Sequence, residues 1–134
     1  MHIKNEQAML EAGKNLAEKL GAGLLVFLIG DLGAGKTTLV RGFLRGLGYA
    51  GVVKSPTYNL VESYVINDLN VFHFDLYRLM DAEELEYMGI RDYLNEKSIC
   101  FIEWPDKGEG LLPSPDVCIE ISIKGTEREL LISR

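Results

Sequence analysis

Gly30-Asp31-Leu32-Gly33-Ala34-Gly35-Lys36-Thr37 is the stretch that decides the fold. It follows the apolar run Leu24 to Ile29 and opens a helix-compatible segment from Lys36 to Leu47. Glycine, four residues, glycine, lysine and threonine is the spacing of a loop that cradles phosphate. Each position has a physical task. Gly33 and Gly35 let the backbone turn with its N–H groups inward, Lys36 reaches the β- and γ-phosphates, and Thr37 offers a hydroxyl to Mg²⁺. The loop also feeds a helix N-terminus, where unpaired N–H groups and the dipole attract anions.

The flanks agree with that reading. Leu24-Leu25-Val26-Phe27-Leu28-Ile29 is continuously apolar and of strand length, as a parallel strand buried on both faces should be. Leu39, Val40, Phe43, Leu44 and Leu47 then recur at helical spacing, and Gly48 marks the stop. The spacing predicts nucleoside-triphosphate contacts over Asp31, Leu32, Gly33, Ala34, Gly35, Lys36, Thr37 and Thr38.

Working outward, Ala8, Met9, Leu16, Ala17 and Leu20 mark one face of a helix between the N-cap Asn5 and the stop Gly21. This helix should cover the sheet, with its start near the nucleotide base. Past Gly48, a glycine-broken connection reaches Ser55-Pro56-Thr57, where the proline fixes a turn. Tyr58 to Ile66 alternates, Asn67 to Asn70 reads as a turn, and Val71 to Leu76 returns as the second arm of a hairpin. A helical stretch from Asp81 breaks at Gly89, Ser98 to Trp104 is a strand, and Pro105 to Pro115 is loop. Val117 to Ile123 and Glu127 to Ile132 form a last hairpin about Lys124-Gly125-Thr126. The expected fold is an α/β, P-loop NTPase-like mixed sheet with a parallel core, antiparallel hairpin additions and flanking helices, in one domain over residues 1–134.

A metal-dependent site needs an acid at the end of another strand. Two runs supply one: Val71 to Asp75 and Ile99 to Glu103. The second is more uniformly apolar, as a strand beside the loop strand would be, so Glu103 is preferred for the metal with Thr37, and Asp75 takes a neighbouring role. Which of the two orients water stays open. Thr57 is placed in sequence like a threonine that closes over a γ-phosphate. His73, in an apolar run, is expected as a packed or hydrogen-bonded core residue, Trp104 and Tyr58 as packing groups, and Arg78 as a phosphate contact, a partner contact or a solvated residue.

Composition limits the rest. Fourteen basic and twenty acidic residues give a net charge of −6, the wrong sign for gripping a polyanion unaided. Cys100 and Cys118 sit in apolar runs as ordinary thiols, which suits a reducing cytosol. With no leader and no run long enough to span a bilayer, a cytoplasmic protein without membrane contact is expected.

Five segments together are more selective than the loop. GDLGAGKTTLVRGFLRGLG (Gly30 to Gly48), KSPTYNLVESY (Lys54 to Tyr64), HFDLYRL (His73 to Leu79), EELEYMGIRDYL (Glu83 to Leu94) and IEWP (Ile102 to Pro105) resemble the TsaE (YjeE) family. The resemblance implies a small bacterial ATPase of tRNA threonylcarbamoyladenosine biosynthesis, using ATP and Mg²⁺. It implies ATP phosphates at Gly33, Gly35, Lys36 and Thr37, Mg²⁺ at Thr37 and Glu103, and switch-like segments at Thr57 and Asp75. It also implies partners: the threonylcarbamoyl transferase TsaD and its companion TsaB, with tRNA reached indirectly through them. No in-cis arginine finger is evident, so Lys36, Asp75 and Glu103 are the candidate catalytic groups of a turnover that is slow alone and partner-dependent. A small-molecule kinase or a non-hydrolysing nucleotide-binding module is the alternative. A GTP switch is disfavoured because the chain holds no Asn-Lys-x-Asp base-recognition signature.

Overall fold

Residues 1–134 are described by a computed structural model. The strands are β1 (His2–Ile3), β2 (Leu25–Ile29), β3 (Val61–Ile66), β4 (Leu69–Asp75), β5 (Ser98–Glu103), β6 (Val117–Lys124) and β7 (Glu127–Ser133). The helices are α1 (Glu6–Lys19), α2 (Lys36–Gly46), α3 (Glu83–Tyr87) and α4 (Ile90–Tyr93). All seven strands form one sheet in the order β1-β7-β6-β2-β5-β4-β3. The centre is parallel, β6, β2, β5 and β4, and the two hairpins add antiparallel arms at either end.

Strand β5 explains why the centre is stable. Ile99 and Phe101 enter the core beneath α1 and α2, whereas Cys100 and Ile102 enter a second core beneath α3 and α4. A strand buried on both faces is continuously apolar for that reason. Burial pushes the Cys100 thiol up to about 12, and Cys100 and Cys118 are both free.

Helix α1 starts where Asn5 accepts the Ala8 N–H at 2.9 Å, a side-chain cap for an otherwise orphaned donor. It packs against α2 at the closest approach the backbone permits. A Cβ on Gly13 would lie 2.2 Å from the Leu39 carbonyl oxygen, and one on Gly42 would lie 2.2 Å from that of Leu10. No helix is long and apolar enough to cross a membrane.

Some expected boundaries move. Tyr58 does not begin a strand: Asn59 and Leu60 donate their N–H groups to the Pro56 carbonyl, and Leu60 turns left-handed before β3 starts at Val61. The hairpin turn is only Asn67-Asp68, both at positive φ, the two-residue connection that matches strand twist, so Leu69 and Asn70 belong to β4. The helical stretch expected from Asp81 starts at Glu83 and breaks at Gly89, as expected, with the short helix α4 following from Ile90. Strand β1, which carries no periodicity of its own, pairs antiparallel with β7.

Candidate functional site

The three residues expected to carry chemistry meet at the carboxyl ends of β2, β5 and β4. Glycine-rich residues 30–35 join β2 to α2, and Gly35 caps α2 in the left-handed conformation at φ 110°. No side chain caps that helix end, and the N–H groups of Gly33, Gly35, Lys36, Thr37 and Thr38 bond to no backbone carbonyl. A row of unsatisfied donors at a helix start is a receptor for an anion.

Lys36 is buried and held in three ways. Its ammonium donates to the Gly30 carbonyl at 2.6 Å, lies 3.5 Å from Glu103 Oε1, and sits 4.7 Å from the centroid of the Trp104 ring. Glu103 ends β5 and uses its other oxygen for His73: Nε2 of the ring is 2.5 Å from Oε2. Next to it in register, Asp75 ends β4. Asp75 Oδ2 accepts from the Thr57 hydroxyl at 3.2 Å and Oδ1 from the Tyr77 N–H at 3.0 Å. Both carboxylates are buried.

One cleft of about 290 Å³ is lined by Leu32, Gly33, Gly35, Lys36, Thr37, Thr38, Ser55, Thr57, Asp75 and Glu103. It brings together every sequence-predicted site residue except Asp31 and Ala34. Asp31 instead lines a separate hollow with Trp104, Pro105 and Asp106. Ala34 is buried and lines a second cavity, of about 190 Å³, on the other side of the loop with Asn5, Glu6, Met9, Thr126 and Arg128. The start of α1 therefore stands beside the loop.

Trp104 and Arg128 contribute in ways the sequence does not show, and Tyr58 departs from its expected packing role. His73 is a hydrogen-bonded core residue, as expected, and its partner is Glu103. Trp104 packs on Tyr77, as expected of a packing group, yet carries the Lys36 ammonium on its ring. Tyr58 packs nowhere in the core: it is exposed, with the Arg78 guanidinium over its ring. Arg128 had no sequence signal at all. From β7 it donates to the carbonyls of Gly33 and Ala34, each at 3.2 Å, and so ties the loop to the far hairpin.

The cleft offers hydroxyl and carboxylate oxygens at Thr37, Thr57, Asp75 and Glu103, a hard-donor set suited to a small divalent cation. No cluster of three or more histidine, cysteine or acidic side chains stands ready to hold a metal alone. A cation here would share its ligands with a bound phosphate, as Mg²⁺ usually does.

Sheet order, loop and paired strand-end carboxylates define a mixed α/β protein with one anion-receptive strand–loop–helix unit. Residues 3–130 match the model of the family described as Threonylcarbamoyl adenosine biosynthesis protein TsaE, and the chain belongs to that family. It is 53% identical to the Haemophilus influenzae tRNA threonylcarbamoyladenosine biosynthesis protein TsaE over 96% of this chain and 85% of that protein. The Bacillus subtilis protein of the same name is 39% identical over 81% of this chain and 68% of its own length. The crystal structure of Bacillus subtilis YdiB superposes with a TM-score of 0.80 at 30% identity, covering 97% of this chain and 80% of that one.

Proposed function

We propose that this chain binds ATP with Mg²⁺ at the Gly30–Thr37 loop and hydrolyses it slowly, in support of threonylcarbamoyladenosine modification of the tRNA adenosine next to the anticodon. The observation that carries the reading is the loop itself: open N–H groups at the start of α2, with buried Lys36 facing Glu103 across the cleft.

In this reading the triphosphate lies over residues 33–38, and the base enters the cavity beside Asn5, Met9 and Arg128. Lys36 leaves its contacts with Gly30 and Glu103 to meet the β- and γ-phosphates, because phosphate offers the ammonium a stronger charge than a carbonyl does. Thr37 and Glu103 hold Mg²⁺, which neutralises phosphate charge when bound. Asp75, steadied by Thr57, and Glu103 are the groups available to orient the attacking water.

Phosphoryl transfer is positioning and charge neutralisation, and this cleft places a single cation among its phosphate-facing residues, so turnover alone is slow. The supporting role is exerted through a TsaB–TsaD complex, which supplies the main tRNA surface that a chain of net charge −6 does not. The test is ATP turnover with Mg²⁺ for the protein alone and with TsaB and TsaD, each repeated with Lys36→Ala. The expected result is a rise on adding the partners that the variant abolishes. Turnover indifferent both to the partners and to the variant would sink the reading.

A further inference from the structure

The two arms that hold Asp75 meet again on the outside of the protein. One arm is Thr57, bonded to Oδ2, and the other is Tyr77, bonded to Oδ1. The next residue of each arm is Tyr58 and Arg78, and the Arg78 guanidinium lies 4.7 Å from the centroid of the Tyr58 ring. Tyr58 is 82% exposed, so this bracket over a buried carboxylate is itself in solvent.

The chain continues from the bracket into an apolar and acidic surface. Met80 is 92% exposed and Tyr87 is 87% exposed. Scattered exposed apolar side chains are ordinary, but here four large ones, Tyr58, Tyr77, Met80 and Tyr87, fall on a short run and the turn that meets it at Arg78. Met80 stands on ordered backbone, because Glu84 accepts the N–H groups of Met80 and Asp81 at 2.9 and 3.0 Å. Asp81, Glu83, Glu84 and Glu86 follow it along the chain, against the single cation Arg78 in the stretch from Tyr77 to Tyr87. Such a surface repels a polyphosphate and favours a protein whose apolar pocket is rimmed by lysine and arginine.

We propose that Met80, Tyr87 and the Tyr58–Arg78 bracket form the docking face for a basic protein partner, and that the partner acts on Asp75 through the bracket. A contact that shifts Arg78 or Tyr58 reaches the carboxylate through the neighbouring residue on either arm. The inference rests on the proposed function, in which a TsaB–TsaD complex is that partner.

The test compares Met80→Glu, Tyr87→Ala and Arg78→Ala with the wild type for affinity to purified TsaB–TsaD and for ATP turnover. Leu131→Glu, an exposed position on β7 toward the other end of the sheet, is the control. Met80→Glu and Tyr87→Ala should each weaken binding at least about tenfold, as central interface residues do, and leave basal turnover unchanged. Arg78→Ala should lower the stimulated rate more than the affinity, and Leu131→Glu should bind like the wild type. Unchanged affinity for all three face variants overturns the proposal, as does a loss confined to Leu131→Glu. A wild-type dimer that Met80→Glu dissociates would assign the face to a second copy and also overturn it. A wild type that never binds TsaB–TsaD sinks the function reading first, whereas binding that ignores the face sinks only this inference.

Discussion

His73 gives one ring nitrogen to Glu103 and leaves the other, Nδ1, buried without a partner. An unpaired buried polar atom costs about 1–3 kcal/mol, so a side chain kept in this state is tolerated for what its bonded nitrogen does. That nitrogen fixes Glu103 Oε2, which turns Oε1 toward Lys36. His73→Leu should therefore lower ATP kcat by about 10- to 100-fold, the worth of a hydrogen bond to a charged group. KM should change little, and His73→Gln, which restores a donor, should recover part of the rate. Steady-state kinetics with a thermal melt of each variant checks this, and equal losses in both variants would make His73 a packing residue only. The place of Lys36 and Thr37 in the cleft was legible in the sequence because it depends on spacing within one loop. The partnership of His73 with Glu103 spans thirty residues, and only strand register reveals it.

Periodicity carries elements further than it carries single contacts. β2 and α2 declared themselves because a buried parallel strand and an amphipathic helix each impose a pattern over several residues. β1 has two residues and imposes none. The stretch from Tyr58 to Leu60 alternates like a strand but is a turn, because Leu60 is left-handed and the N–H groups of Asn59 and Leu60 turn back to the Pro56 carbonyl. Nor does a sequence announce that Gly13 and Gly42 face each other across two helices. The consequence is measurable. Gly42→Ala drives a methyl into the Leu10 carbonyl, which is backbone and yields only if α1 and α2 separate. The expected cost is about 1–3 kcal/mol despite alanine's better helix propensity, read as a lower urea midpoint at unchanged slope. Gly21→Ala meets nothing within 4 Å and should leave the midpoint where it is.

At the scale of the whole molecule, the sheet order turns distant segments into neighbours of the loop. β7 follows the loop by some ninety residues, yet its Arg128 bonds two loop carbonyls, and β1 pairs beside it just before α1 begins. The loop is thus held from β2 and α2 within the motif and from the terminal hairpin outside it. Arg128→Met keeps most of the side-chain stem and removes both donors to the loop. Because the loop must be ordered before its N–H groups can converge on phosphate, the lost ordering appears as weaker nucleotide binding. We expect Kd for ATP to rise about tenfold, the worth of two partly exposed charge-assisted bonds, with kcat at saturation within about twofold of the wild type. The exposed pair of His2 with Glu127 lies on the same strands but touches no loop atom, so His2→Ala should leave Kd unchanged. Titration calorimetry on both variants separates the cases. A rise with Arg128→Met alone that is equal for ATP and for inorganic triphosphate assigns the effect to the tie and not to the base cavity that Arg128 also lines, whereas a rise in both variants means that the β1–β7 pairing positions the loop as a unit.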